Sequence, residues 1–216
     1  MLKKIGIAVV AVLVLLAGVI ATRPAGYRVV RTATVNAPPA VAYAQVADFH
    51  NWAAWSPWGK LDPAMKTSFS GPAQGPGAAY AWTGNDKVGE GRMTVTAAQP
   101  NQQVEIKLEF LKPFAATSET AFTFVPRGAA TEVTWAMDGH NNFMAKAASM
   151  VMDMDKMIGS DFDRGLANLK SVAEAQAGAA AAAPAAPAGA TPAAAAPSAG
   201  AAGTTPAPAA IPAVAK

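Results

Sequence analysis

The sequence predicts an α+β fold in which a curved antiparallel sheet of about seven strands wraps one long C-terminal helix, with a transmembrane helix in front. Three observations predict it. Apolar residues alternate with period two from Met65 to His140, the period turns helical over Met154 to Val172, and Ile5 to Ala21 is a run of 17 residues without a charge.

The N-terminal run follows Met-Leu-Lys-Lys and reaches roughly 26 Å as a helix, enough to span the hydrocarbon of a bilayer. A cleavable signal peptide is the alternative, since Val19 and Ala21 are small enough for the cleavage positions, but the run exceeds the usual apolar length of such a peptide. The expectation is a retained, single-pass anchor in the cell inner membrane, contacting lipid through residues 5–21. The signal-like shape places the domain on the periplasmic or extracytoplasmic side, while Arg23, Arg28 and Arg31 compete with Lys3 and Lys4 over orientation. At the other end, the 40 residues from Ala177 to Lys216 contain 22 Ala, 7 Pro and 4 Gly and cannot build a core. The chain of 216 residues therefore divides into an anchor or uncleaved signal (1–22), one folded domain (27–176) and a disordered Ala/Pro-rich tail (177–216).

Divided this way, the charge changes meaning. Lys3, Lys4, Arg23 and Lys216 lie outside the domain, which keeps 13 basic against 14 acidic residues, so the net charge of +3 belongs to the flanks. A balanced domain has no field for collecting a polyanion, and nucleic acid is excluded as a partner. The absence of cysteine rules out disulfides, thiol nucleophiles and thiolate metal sites.

Within the domain, Tyr27 to Val35 reads as a strand stopped by Asn36-Ala-Pro-Pro, and a helix begins at Pro38 or Pro39, where a missing N–H costs nothing. Phe49 to Trp58 reads as a second short helix broken at Ser56-Pro57. Gln102 to Phe110 is the clearest strand: Val104, Ile106, Leu108 and Phe110 share one face and Glu105, Lys107 and Glu109 the other. Turn residues at Gly71-Pro72 through Gly77, Gly84-Asn-Asp, Gln99-Pro-Asn-Gln and Pro126-Arg-Gly separate about six such strands, most economically a meander. Residues 142–153 form a separate helical piece, and the stripe Met154, Met157, Ile158, Phe162, Leu166, Leu169 and Val172 marks the long helix.

The segments Val35-Asn-Ala-Pro-Pro-Ala-Val, Asp48-Phe-His-Asn-Trp-Ala-Ala-Trp-Ser-Pro-Trp, Gly89-Glu-Gly-Arg-Met, Thr131-Glu-Val-Thr-Trp and Met157-Ile-Gly-Ser-Asp-Phe-Asp-Arg-Gly-Leu-Ala-Asn-Leu resemble a polyketide cyclase/dehydrase-type member of the SRPBCC, or START-like, superfamily. The resemblance covers residues 27–174. It implies a helix-grip fold around an apolar cavity that, in relatives, holds lipids, sterols, polyketides or other hydrophobic molecules.

Trp82, Met93, Phe110, Phe122, Phe124, Trp135, Met137, Met154 and Met157 are expected to project inward. They either fill a dry core or line an adaptable ligand pocket. Broad rings, flexible thioethers and the resemblance favour the pocket, with Ser118, Thr120 or Arg92 as a polar anchor. Trp52, Trp55 and Trp58 either cap the grip by packing or form a membrane-facing portal. Catalytic groups are few: His50, His140 and scattered carboxylates, with no metal motif, no cofactor motif and a Gly89-Glu90-Gly91-Arg92 segment best read as a turn or bulge with a surface ion pair. The expected function is a monomeric, membrane-anchored domain that binds a hydrophobic small molecule or lipid. The alternatives are a cyclase/dehydrase-like enzyme and a non-catalytic module that contacts an envelope protein.

Overall fold

A computed structural model of the chain describes residues 2–141, 143–148, 150 and 153–182. The apolar N-terminal run forms α1 (Leu2–Thr22), and β1 (Gly26–Val35) follows it after a three-residue link, residues 23–25. Pro39 occupies the first position of α2 (Pro39–Ala47), where its fixed φ suits a helix start. A single 3-10 turn (Phe49–Asn51) and α3 (Trp52–Trp55) come next, ending at Ser56 before Pro57.

Six further strands then run in sequence: β2 (Lys66–Ser70), β3 (Ala79–Thr83), β4 (Glu90–Gln99), β5 (Gln103–Lys112), β6 (Ala116–Arg127) and β7 (Ala130–His140). The sheet order is β1-β7-β6-β5-β4-β3-β2, antiparallel throughout. The expected meander runs from β2 to β7, and β1 closes it by pairing with the last strand. Gly26 opposes His140 in that pair, so α1 leaves the sheet beside the end of β7.

Helix α4 (Phe143–Ala148) falls within the predicted 142–153 piece, of which 142, 149, 151 and 152 lie outside the described residues. Helix α5 runs from Met154 to Ala182 and takes residues 177–182 from the segment read as tail. Alanine is the best helix former, so the helix continues until the approach of Pro184, which disfavours helical geometry before it. The tail beyond, from 183, lies outside the described residues.

The buried stripe of α5 is Phe162, Leu166, Leu169 and Ala173, with Ile158 half-buried at its start. Met157 departs from the predicted stripe and is 46% exposed, because one residue before Ile158 is a turn of about 100° around the helix. Polar contacts tie the helix to β1 at both ends. The Arg31 guanidinium donates to the Asp155 carboxylate at 3.0 Å and to its carbonyl at 3.1 Å, and also meets Asp163 at 3.4 Å. The hydrogen bond to Asp155 raises the Arg31 pKa further despite some desolvation. Farther along, Lys170 donates to the Thr34 carbonyl, and Glu174 accepts from the Asn36 backbone N–H.

Gly165 permits a close approach of helix to sheet: a Cβ there would sit 2.8 Å from the Trp135 ring and 3.3 Å from Pro57. Gly165→Ala is expected to destabilise the domain by about 1–3 kcal/mol through overpacking, read as a lower urea midpoint with an unchanged slope.

Candidate functional site

An aromatic block occupies the middle of the grip. Trp135 of β7 stacks on Phe162 of α5 with centroids 3.9 Å apart and planes at 8°. Phe122 lies 4.7 Å from Trp135, and Trp52 and Trp55 present edges to both rings. Each indole N–H inside the block is already spent: Trp52 donates to the Val46 carbonyl, Trp55 to the Gln45 carbonyl and Trp135 to the Thr120 hydroxyl, which donates onward to the Ala136 carbonyl. Trp52 and Trp55 thus hold the packing position rather than a surface one; Trp55 is 0% exposed. Trp58, half-buried, meets Trp135 edge-on at 5.8 Å. Phe124 is buried beneath α2 against Tyr43.

The remaining candidates gather toward the end of the sheet from which α1 departs. Cross-strand register orders the inward side chains in rows. The Arg31, Trp135, Phe122 and Val104 row belongs to the block, and Val29, Met137, Thr120 and Ile106 come next. Two rows from the block lie Tyr27, Gly139, Ser118, Leu108 and Met93, and beyond them Phe110, Gly91 and Trp82. Met93 and Met137 are buried, whereas Tyr27, Trp82, Leu108 and Phe110 are half-buried. The Tyr27 ring lies across Gly139, where a Cβ would stand 2.5 Å from it, and the phenol pairs with the Ser118 hydroxyl at 3.1 Å. Trp82 covers Gly91 in the same manner and donates its N–H to the Val88 carbonyl. The result is an apolar wall with one hydroxyl pair, a surface suited to an apolar body carrying a single hydrogen-bonding group.

Thr120 is spent within the block, and Arg92 is exposed on the opposite face of β4, so neither joins that wall. Glu90 pairs with Lys112 at 2.7 Å, and the register shifts between Glu90 and Gly91, a β-bulge with a surface ion pair. Met157 sits outside on α5, and the side chain of Met154 lies outside the described residues. Tyr27 and Leu108 escape sequence reasoning as site residues. Tyr27 shows there only as a strand residue, because its hydroxyl partner is 91 positions away.

A second feature is a cleft of about 280 Å³ between the 3-10 turn and the β2–β3 connection, walled by Phe49, Phe69, Pro72, Ala73 and Ala79 with His50 and Ser70 at its polar points. His50 stacks on Phe69 at 4.0 Å, and its Nδ1 lies 2.7 Å from the Asp48 carboxylate, which also accepts the His50 backbone N–H. Partial burial pushes the Asp48 carboxyl up, but the hydrogen bonds from His50 and Gln74 outweigh it and hold the group below its ordinary value of 3.8. Among the described residues no group of three or more His, Asp and Glu side chains is placed to hold a metal ion.

Comparison with known proteins follows the same architecture. The model of a family described as "Polyketide cyclase / dehydrase and lipid transport" matches residues 27–174. No curated protein sequence matches the chain. Solved structures do. A protein from Chromobacterium violaceum is 14% identical with a TM-score of 0.50, covering 70% of this chain and 99% of its own. One from Rhizobium leguminosarum is 14% identical with a TM-score of 0.51, covering 69% and 95%. The Aha1 dimer from Colwellia psychrerythraea is 17% identical with a TM-score of 0.50, covering 68% and 96%. At these identities the likeness is one of fold.

Because the folded-state Asp48 carboxyl titrates below its ordinary value, its contribution is full above that value and is lost as pH falls through the lower, folded-state one. Asp48→Ala is expected to cost about 1 kcal/mol at pH 7 through the lost cap. In thermal melts across pH, the gap to wild type should close below about pH 4.

Proposed function

This chain belongs to the polyketide cyclase/dehydrase and lipid transport family, and we propose that it is a membrane-anchored, monomeric binding protein for a hydrophobic small molecule or lipid. The observation that carries the reading is the half-buried wall of Tyr27, Leu108, Phe110 and Trp82 around the Tyr27–Ser118 hydroxyl pair, on the part of the sheet beyond the aromatic block. Phe122 and Trp135 then serve as the floor that fixes the wall and Met93 and Met137 as its adaptable, polarisable lining, while Phe124 packs on the far side of the block.

The helix Lys3–Thr22 supports the anchor. Its 20 residues reach about 30 Å, the thickness of a bilayer core. With Lys3 and Lys4 retained on the cytoplasmic side, the domain lies on the extracytoplasmic face of the inner membrane.

Native mass spectrometry of the full chain in a mild detergent is expected to find a bound apolar molecule. Tyr27→Phe, which keeps the ring over Gly139 and removes the hydroxyl, should weaken uptake of a ligand bearing one polar group about 5-fold, the effect of one hydrogen bond. Empty preparations that also take up no apolar fluorescent probe would overturn the proposal.

The Asp48–His50 pair favours a second reading, acid–base chemistry of the cyclase or dehydrase kind. Asp48 holds Nδ1–H, leaving Nε2 as the basic nitrogen beside an apolar cleft. Under that reading His50→Gln abolishes turnover of a polyketide-like substrate while apolar probe binding persists. Unchanged turnover in that variant would remove His50 from the chemistry.

A further inference from the structure

The end of the sheet that carries the half-buried wall is also the end tied to α1, and its rim is unusually apolar. The β5–β6 hairpin places Leu111 and Phe114 in solvent at 55% and 78% exposure, and Phe143 of α4, Met150 and Met157 are exposed as well. Single exposed apolar residues need no explanation, but an exposed ring at a hairpin tip that also carries an exposed leucine does. We propose that this rim docks on the surface of the bilayer that α1 spans, so that the apolar wall exchanges its guest directly with the lipid. The inference rests on the anchored, lipid-binding reading above and adds the surface and the route.

Register and chain length argue for the bilayer as occupant. Tyr27, Gly139 and Ser118 lie in one row, and Phe110 opposes Ala116 one row farther out. The hairpin continues past that row through Lys112 to Phe114, so its tip stands about 13 Å beyond Tyr27 at the rise of a strand. From Thr22, the last residue of α1, the chain to Tyr27 can reach at most about 18 Å. A hairpin tip 13 Å out therefore spends most of the distance the linker allows, and Phe114 arrives at the headgroup and acyl boundary. Two contacts shorten the gap further. The Asn141 N–H donates to the Ala25 carbonyl at 2.7 Å, and Lys146 of α4 reaches the Ala21 carbonyl at 3.5 Å.

Charge does not oppose the docking. Arg28 and Lys112 on this rim are paired with Asp138 and Glu90, which leaves Phe114 and Leu111 as the protruding groups. An aromatic ring is suited to the interface, where its apolar body leaves water.

The chain contains no cysteine, so single labels are unambiguous. Full-length Leu16→Cys, Phe114→Cys and Ala129→Cys, each carrying bimane, are reconstituted in phosphatidylcholine/phosphatidylglycerol vesicles with doxyl-labelled acyl chains. Leu16 reports the anchor, and Ala129, in the β6–β7 turn at the far end of the sheet, reports the free domain. The expected result is several-fold quenching at positions 16 and 114 and none at 129. Quenching at 16 with a water-accessible label at 114 overturns the docking and leaves the anchor standing. A label at 114 shielded from water yet not quenched by lipid assigns the rim to a protein partner or a second copy, and also overturns it. Loss of quenching at 16 removes the anchored reading, and the docking with it.

Discussion

The stack of Trp135 on Phe162 is the contact on which the architecture turns. It joins β7, the second strand of the sheet order, to α5 at van der Waals distance, and a side chain at position 165 would crowd the Trp135 ring. Once those rings meet, Phe122, Trp52 and Trp55 have fixed places around them, and every indole N–H must find a partner in the dry interior. The Gln45 and Val46 carbonyls supply two of those partners, so the end of α2 is positioned by the same block. The middle of the grip is thereby filled by rings, and the half-buried side chains of Tyr27, Trp82, Leu108 and Phe110 lie in the rows nearer α1.

Family membership and site geometry bear on different links of the chain from sequence to function. The match over residues 27–174 and the likeness to solved structures concern the frame, a sheet around a helix. The chemistry of any guest is decided by side chains the frame does not dictate. Tyr27 and Ser118 offer a donor and an acceptor in an apolar wall, whereas Asp48 and His50 offer an oriented imidazole at a separate cleft. The two arrangements lie on different elements and share no hydrogen-bond partner among the described contacts.

Periodicity made most of the frame legible. Val104, Ile106 and Leu108 alternate as a half-wet strand must, and the helical stripe from Ile158 to Leu169 points to the sheet. Partnership was not legible in the same way. Nothing in the β1 residues says that they pair with β7, although that pairing brings the membrane segment to one end of the sheet. The inward direction of Phe122 and Trp135 follows from period two. Whether a ring faces a void or another ring depends on Trp52 and Trp55, which arrive from a helix some 80 positions earlier in the chain. The Tyr27–Ser118 pair is hidden for the same reason, while Asp48 and His50, two residues apart, were within reach of a local reading. Met157 shows the limit of a stripe drawn by composition, since a residue can match the pattern in polarity and miss the buried arc by one step.

The two halves of α5 are secured by different forces. From Phe162 onward the helix is held chiefly by buried rings and aliphatic side chains, and before it by the half-buried Ile158 and by the Arg31 guanidinium reaching exposed carboxylates. Ion pairs open to water are weak and fade as salt rises, while buried apolar contact is indifferent to it. The attachment of α5 to the sheet is therefore mainly apolar along the aromatic block and more ionic at its leading turns. Whatever dependence the attachment of α5 has on ionic strength is therefore concentrated at its leading turns, where the ion pairs lie.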